Sequence, residues 1–250
     1  MKECSEMAQD FKQDAGTRAQ AVSAIVGTGP GNGAALARRF GAQGAPVALL
    51  ARSSDFSAAL AQELPSARAY AADAGQPEAL QAALAQVAVQ QGPVGTLIYN
   101  AGSGAWGSVE EVTAADLEQC WRVNTLGLFA ATQALLPGMK QLGGGHIIVI
   151  GATASRRGGA AAAAFAQAKA AQRTLAESMA RQLWPQGIHV ALIVIDGIVD
   201  LPRSRQRFAD KGDDFFVQPA AVAESAWWLT QQPRSAWSFE IEARPFGEKW

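Results

Sequence analysis

Residues 21–33, AVSAIVGTGPGNG, decide the fold of this 250-residue chain. The first six of these residues are mainly apolar and predict a buried strand. Four glycines at alternate positions follow, and the Ala-rich residues 33–42 after them predict a helix. A strand, a short glycine loop and a helix in this order form the first part of a β-α-β unit, so a parallel sheet is expected to begin here.

The same alternation continues along the chain. Short apolar runs rich in β-branched residues alternate with Ala-rich helical stretches, which is typical of an α/β fold. Predicted strands cover residues 21–26, 46–51, 67–71, 96–99, 146–150, 189–195 and 238–242. Predicted helices cover residues 33–42, 57–64, 77–91, 114–139, 160–184 and 220–231. Several strands are apolar on consecutive residues, which indicates a parallel sheet covered on both faces.

Composition argues against several functional classes. The 21 basic and 22 acidic residues nearly balance, so no nucleic-acid partner is expected. No apolar run approaches about eighteen residues, so no membrane span is expected. Residues 1–18 lack the apolar core of a signal peptide and predict a polar tail or a short helix outside the domain. Cys4 and Cys120 are too few for a disulfide framework or a metal site, which favours a reduced, cytoplasmic setting and no metal.

The glycine loop predicts a dinucleotide site formed by Gly27, Gly29, Gly31, Asn32 and Gly33. Glycine permits a tight turn and lets the backbone approach a pyrophosphate, which then lies at the helix N-terminus. A flexible loop without a ligand is the alternative, but the strand before the loop and the helix after it favour binding.

Arg52 predicts the choice of cofactor. An NAD enzyme carries an acidic residue at the end of the second strand, whereas no acid occurs here before Asp55. A guanidinium can pair with a 2′-phosphate through two parallel hydrogen bonds. NADP(H) is therefore preferred over NAD(H), with a solvated Arg52 as the alternative.

The runs Gly151-Ala152-Thr153-Ala154-Ser155 and Phe165-Ala166-Gln167-Ala168-Lys169 resemble the active-site segment of the short-chain dehydrogenase/reductase family. That family carries a Tyr four residues before the Lys and a Ser thirteen residues before the Tyr. Lys169 is retained here, but Phe165 stands at the Tyr position and Ala152 at the Ser position. The resemblance runs from about residue 22 to residue 250. It implies a doubly wound, seven-stranded parallel sheet in a single Rossmann-like domain, residues 19–250, and a homodimer or homotetramer.

The resemblance also implies how a cofactor is held. Asp73, with Ala74, matches the family's adenine contact, although a turn-forming Asp is the alternative. The element Asn100-Ala101-Gly102 would pack beside the adenine ring. Gly197 and Ile198 would meet the nicotinamide, and Lys169 would bind the nicotinamide ribose hydroxyls.

The missing hydroxyls leave the proton donor open. Asn124 matches the family's helix Asn, which holds a water against the active-site Lys, although a structural Asn is the alternative. Phe165 and Ala152 can neither donate nor accept a proton, and general acid–base catalysis contributes typically about 10²–10⁴-fold. The candidates are a water between Asn124 and Lys169, or one of the side chains Thr153, Ser155, Tyr99 and Asp196, and a structural role is the alternative for each of them.

Phe165 is expected to be a branch trait. A bacterial branch of the family combines a Gly-Ala-Thr-Ala-Ser run and a Phe before the Lys with Ile-Asp-Gly and a C-terminal Arg-Pro-Phe, here Arg244-Pro245-Phe246. The resemblance favours an NADP-dependent oxidoreductase acting on a small carbonyl or alcohol. A catalytically weak cofactor-binding protein, acting as a sensor or partner-binding module, is the alternative, and a lyase or isomerase is a third. Residues 200–218 predict a flap beside the site.

Overall fold

The computed structural model describes residues 21–248, and the predicted tail at residues 1–18 lies outside them. Its centre is a parallel sheet of seven strands: β1 (Val22–Val26), β2 (Val47–Ala51), β3 (Ala67–Ala71), β4 (Val94–Tyr99), β5 (Gly145–Ala152), β6 (Ile188–Ile195) and β9 (Glu240–Ala243). The strand order is β3-β2-β1-β4-β5-β6-β9. This order confirms the doubly wound, Rossmann-like sheet, and the chain reverses direction across the sheet between β1 and β4. Ligands bind at such a point in open α/β sheets.

Eight helices are present in the described part of the chain: α1 (Asn32–Gly41), α2 (Ser54–Glu63), α3 (Pro77–Gln91), α4 (Ala114–Trp121), α5 (Gly127–Gln141), α6 (Ala163–Leu183), α7 (Pro202–Arg207) and α8 (Pro219–Thr230). Helices α1, α2 and α8 pack on one face of the sheet, and α3, α5 and α6 pack on the other. Between residues 21 and 248, no helix is both long and apolar enough to span a bilayer.

The side chains of successive strand residues point to opposite faces of the sheet and pack in two separate hydrophobic layers. Ile25 and Ile98 face the layer of α1, α2 and α8, whereas Val26 and Leu97 face the opposite layer. All eight residues of β6 are buried. The strands are apolar on consecutive residues because helices cover both faces of the sheet.

The predicted helix over residues 114–139 is wrong in its middle, where Arg122–Leu126 forms a π-helical turn between α4 and α5. Polar side chains in and around this turn make tertiary hydrogen bonds. Thr125 donates to the carbonyl of Ala168 over 3.0 Å, and Gln172 donates to the carbonyl of Asn124 over 2.7 Å. These contacts fasten the turn to α6, and hydropathy along the sequence does not report them.

The segment at residues 200–218 contains more regular structure than the sequence indicated. Helix α7 lies within it, and the short strands β7 (Ile198–Val199) and β8 (Phe216–Val217) pair in parallel at its ends. Asp200 accepts two hydrogen bonds from Arg205, at 2.7 and 2.8 Å. The predicted flap is therefore fastened at its base to the residues that follow β6.

Candidate active site

The loop after β1 forms a close-packed cradle. Gly27 has a φ of 95°, and a Cβ there would lie 2.4 Å from the backbone nitrogen of Ala101. Asn100 donates from its side-chain amide to the Gly27 carbonyl over 2.7 Å. A Cβ on Gly33 would lie 2.7 Å from the same carbonyl oxygen. The sequence element Asn100-Ala101-Gly102 thus supports the glycine loop, and Gly27 and Gly33 are required by packing alone.

Gly29 and Gly31 differ from those two glycines. A Cβ on Gly29 would meet no atom within 4 Å, so the loop is open at this point. A Cβ on Gly31 would lie 2.4 Å from Cδ2 of Leu201, which brings the predicted flap against the loop. Asn32 begins α1 directly afterwards. Because this loop is open at Gly29 and lies at a helix N-terminus, it fits the pyrophosphate of a nicotinamide dinucleotide.

Two charged side chains are predicted to bind the cofactor near β2 and β3, and their surroundings differ. Arg52 follows β2, is exposed, and makes no hydrogen bond or ion pair with any of residues 21–248. It is therefore free to bind an incoming phosphate. Asp73 accepts a hydrogen bond from the backbone of Gly75 over 2.8 Å, while Ala74 between them is buried. Asp73 forms a turn here, and its predicted adenine contact stays a prediction.

Lys169 lies on α6 with its amine inside the protein. Its Nζ donates to the carbonyl of Ile150 and to Oε1 of Gln172, both over 2.9 Å. The side chain is buried, and this desolvation lowers the pKa of Lys169 to about 7. Lys169 is thus an amine that readily changes charge near neutral pH rather than a permanent surface cation.

Asn124 points its side chain toward the same region. Its Nδ2 donates to the carbonyls of Ser103 and Cys120, both over 2.8 Å, whereas the buried Oδ1 has no partner among the described residues. A Cβ built on Gly102 would lie 3.5 Å from this Oδ1 and 4.0 Å from Nζ of Lys169. An acceptor and a donor therefore converge beside Gly102, where a hydroxyl or a water can bind both.

Sequence reasoning missed Gln172. Its fully buried amide accepts from Lys169 and donates to the carbonyl of Asn124, so it bridges two predicted site residues. Gln172 lies three residues after Lys169, on the same side of α6, and is a polar residue in an otherwise apolar helix face. The three-residue spacing from Lys169 is the sequence feature that could have identified Gln172 as a site residue.

Phe165 and Ala152 supply apolar side chains at two of the predicted site positions. The Phe165 ring lies 5.1 Å from the ring of Trp106, centroid to centroid. A Cβ on Gly104 would be 3.3 Å from Cδ2 of Phe165 and 3.4 Å from Nε1 of Trp106. Ala152 ends β5 and donates its backbone N–H to Ser155. Trp106 is 68% exposed, so the two rings form an aromatic wall beside the start of α6.

Two of the candidate proton donors are structural. Tyr99 is completely buried, and its hydroxyl donates to the carbonyl of Val123 over 2.5 Å. Burial raises the pKa of Tyr99 above its usual range, with the Asp73 charge adding to the effect. Ser155 is buried as well and accepts from the backbone of Ala152 over 3.1 Å. Both hydroxyls are buried in internal hydrogen bonds, which supports the structural alternative for Tyr99 and Ser155.

The remaining candidates, Thr153 and Asp196, contact each other. Thr153 donates to Oδ1 of Asp196 over 2.5 Å, and Arg244 binds the other carboxylate oxygen. Gly197 follows Asp196, and a Cβ there would lie 2.5 Å from Cδ of Pro245. Ile198 begins β7 and is half-buried. The motifs Ile-Asp-Gly and Arg-Pro-Phe, far apart in sequence, are thus joined by an ion pair.

An open glycine cradle at the switch point of a doubly wound sheet, with an amine and an amide converging nearby, defines a nicotinamide-dinucleotide protein. Residues 21–211 match the short chain dehydrogenase family, and the chain belongs to this family. It is accordingly an NAD(P)-dependent oxidoreductase of the class acting on CH–OH groups.

Three similar proteins illustrate the match. D-xylose 1-dehydrogenase of Caulobacter vibrioides (strain NA1000 / CB15N) is 33% identical over 193 residues, which cover 76% of each chain. A short-chain dehydrogenase from Rhodopseudomonas palustris superposes with a TM-score of 0.79 at 34% identity, covering 91% of this chain and 99% of that one. A blue fluorescent protein from a metagenomic library, solved with NADPH, gives a TM-score of 0.80 at 30% identity, covering 90% and 97%.

Proposed function

We propose that this chain is an NADP(H)-dependent oxidoreductase for a small carbonyl or alcohol substrate, working with an altered proton relay. The observation that carries the proposal is the convergence of Lys169 and Asn124 beside Gly102, next to an apolar wall made by Phe165. The ribose-binding part of a family site is retained, while its usual hydroxyl donors are absent. The Phe165 substitution would then mark an atypical branch of the family.

The preference for NADP(H) is supported by Arg52. Its guanidinium is exposed and unpaired among the described residues, and it follows the strand end where an NAD enzyme carries an acid. The related metagenomic protein solved with NADPH is consistent with this choice. We propose that Gly27, Gly29, Gly31 and Gly33 hold the pyrophosphate, with the segment at 200–218 as a flap that covers it through Leu201.

The chemistry of the bound nicotinamide is the transfer of a hydride to or from the substrate carbon. The chain itself positions the reactants and moves the proton, and positioning alone is a large contribution to rate. Asn124 and Lys169 can hold a hydroxyl or water beside Gly102. Trp106 and Phe165 exclude water from one side of the substrate and favour a substrate with an apolar face.

A broad substrate screen tests the proposal. Aldehydes, ketones and diones are offered with saturating NADPH, and alcohols with NADP⁺, while absorbance of the reduced nicotinamide is followed. Slow but real turnover is expected for at least one activated carbonyl. The matched control is Lys169→Met, which removes the amine and should abolish the signal.

A cofactor-binding protein without turnover is the second candidate. It is favoured by one observation: neither Phe165 nor Ala152 can carry a proton, and the aromatic wall occupies that place. NADPH binding without oxidation of NADPH by any substrate would support this sensor or partner-binding role instead.

The assembly and location are proposals as well. Leu117 and Trp121 on α4 and Phe129 on α5 are 39–43% exposed, which is a high exposure for large apolar side chains. We propose that these helices form a homodimer or homotetramer interface, which light scattering would detect as a mass of two or four chains. The free, buried thiol of Cys120 is compatible with a reduced cytoplasmic location.

A further inference from the structure

Two polar side chains meet at the sheet edge where the dinucleotide cradle lies. β5 and β6 pair so that Ala152 lies opposite Ile195. Thr153 and Asp196 are the next residues of the two strands, so they leave the sheet side by side. The Thr153 hydroxyl donates to Oδ1 of Asp196 over 2.5 Å, and Thr153 remains partly exposed while Asp196 is 4% exposed.

Arg244 holds the carboxylate in place from the other side. It binds Oδ2 of Asp196, and its side chain is 13% exposed, so this is a largely buried ion pair. Buried carboxylates are stable in the ionised form only when they are paired and hydrogen-bonded. The remaining charged groups around the pair are Arg157, Arg156, Glu242 and Glu248.

We propose that Thr153 is the catalytic residue that exchanges a proton with the substrate oxygen, and that Asp196, fixed by Arg244, is the group that accepts this proton from Thr153. This inference deepens the proposed function and rests on it. It assigns the acid–base role to a hydroxyl one residue after the position at which the family carries its Ser.

The atoms balance in the direction of alcohol oxidation. The carbinol carbon gives up a hydride, with its two electrons, to the oxidised nicotinamide. The substrate O–H bond breaks and its proton passes to Oγ1 of Thr153, while the Thr153 proton passes to Oδ1 of Asp196. A C=O bond forms, and Asp196 ends as the neutral acid, which later returns its proton to solvent. Reduction of a carbonyl runs through the same steps in reverse.

The other polar groups are less suited to this exchange. Tyr99 and Ser155 face inward, as their hydrogen bonds show. The amine of Lys169 already donates to Ile150 and Gln172 and lies on the side of Gly102. Among the candidate proton donors named from the sequence, Thr153 is the hydroxyl that combines partial exposure with a carboxylate acceptor.

Three variants test the pair in the whole chain. Thr153→Val removes the hydroxyl with little change of shape, Thr153→Ser restores it, and Asp196→Asn removes the proton acceptor. With the best substrate of the wild-type enzyme, we expect kcat to fall about 10²–10⁴-fold in the Val and Asn variants and to remain within about tenfold in the Ser variant. Thr174→Val, an exposed hydroxyl on α6, is the matched control and should leave kcat unchanged.

One readout separates a relay from a merely structural role, and a second verifies the hydrogen bond on which the relay depends. The solvent isotope effect on kcat of the wild-type enzyme should indicate that two protons move in the transition state. The Asp196→Asn variant should no longer show this two-proton dependence. In the protein without substrate, the ¹³C carboxyl resonance of Asp196 should move in Thr153→Val and return in Thr153→Ser. NADPH affinity should stay within about twofold in the Thr153 variants.

The failures are distinguishable. No turnover by the wild-type protein overturns the proposed function, and the relay with it. Wild-type turnover that survives unchanged in both Thr153→Val and Asp196→Asn overturns the relay alone. If Asp196→Asn does not fold, the comparison of Thr153→Val with Thr153→Ser decides the question.

Discussion

At the scale of a single side chain, we propose that Arg52 sets the cofactor preference. A hydrogen bond to a charged group is worth about 1.5–3 kcal/mol, which corresponds to roughly ten- to a hundredfold in affinity. Arg52→Ala should therefore weaken NADPH binding by at least about tenfold and leave NADH binding nearly unchanged. Fluorescence titration of the protein with both cofactors measures this difference.

Two further variants sharpen the comparison. Ala51→Asp should reverse the preference, because a carboxylate there repels the 2′-phosphate and accepts from ribose hydroxyls. Arg68→Ala is the control, since Arg68 lies at the start of β3, opposite Ala48 and away from the strand end. Equal or tighter binding of NADH by the wild-type protein would show that Arg52 points to solvent when the cofactor is bound.

Restoring the two missing hydroxyls tests whether the backbone still has the family geometry. The variant Ala152→Ser/Phe165→Tyr should raise carbonyl reduction, by no more than about 10²–10⁴-fold, because a proton donor is regained. Phe165→Tyr alone should gain less, since the Ser helps to orient the substrate oxygen. Steady-state kinetics with NADPH give the answer.

The aromatic wall makes this a demanding test. Tyr at position 165 must place its hydroxyl beside Trp106 without disturbing the contact between the rings. If the double variant binds NADPH like the wild-type protein but gains no activity, the pocket has been rebuilt around another chemistry.

At the scale of elements, the glycines of the loop after β1 have different roles: some are needed for packing and others for cofactor binding. Gly29→Ala should leave the thermal unfolding midpoint within about 2 °C, because a Cβ there meets no atom within 4 Å. The same variant should weaken NADPH binding, because the new methyl group enters the open cradle. Calorimetry and cofactor titration on one sample measure both effects.

Gly27→Ala is the matched comparison, and it should lower the stability that Gly29→Ala leaves unchanged. Its φ of 95° and the approach of 2.4 Å to the nitrogen of Ala101 leave no room for a side chain. The variant should lose several kcal/mol of stability or fail to fold. A similar loss of stability in both variants would contradict the division of roles within the loop.

The elements also show where sequence reasoning succeeds. The glycine spacing, with a strand before it and a helix after it, correctly predicted the loop that Asn100 supports, because these signals are local. The π-helical turn at Arg122–Leu126 could not be predicted, because it is fastened by Gln172, which is 48 residues from Asn124. Hydropathy patterns carry no information about such distant hydrogen bonds.

At the scale of the whole molecule, the alternation of apolar runs and helical stretches predicted a parallel sheet, since parallel neighbours require crossover helices. The doubly wound arrangement of seven strands was implied by the family resemblance and is confirmed by the strand order. The ion pair between Asp196 and Arg244 did not follow from either, although both residues were noted as parts of motifs. Their meeting depends on β9 pairing beside β6, and the sequence shows neither that pairing nor its register.

Two buried bases make the stability of the whole molecule depend on pH. Burial lowers the pKa of Lys169 to about 7 from its ordinary value of 10.5, and burial also lowers the pKa of His189. Both groups bind protons less well in the folded chain than in the unfolded one. Stability is therefore lost as pH falls through the window between the unfolded and folded pKa values. For Lys169, this window runs from about pH 10 down to pH 7.

The free energy of unfolding should accordingly rise between pH 7 and pH 9, with Lys169 contributing up to about 1.4 kcal/mol per pH unit. Urea denaturation at pH 7, 8 and 9 measures the slope. Lys169→Met should flatten it, because the buried amine whose protonation produces the slope is removed. Above pH 10, the raised pKa of Tyr99 acts in the opposite direction, so that range is avoided. Equal slopes in the two proteins would mean that the Lys169 amine reaches solvent in the folded chain.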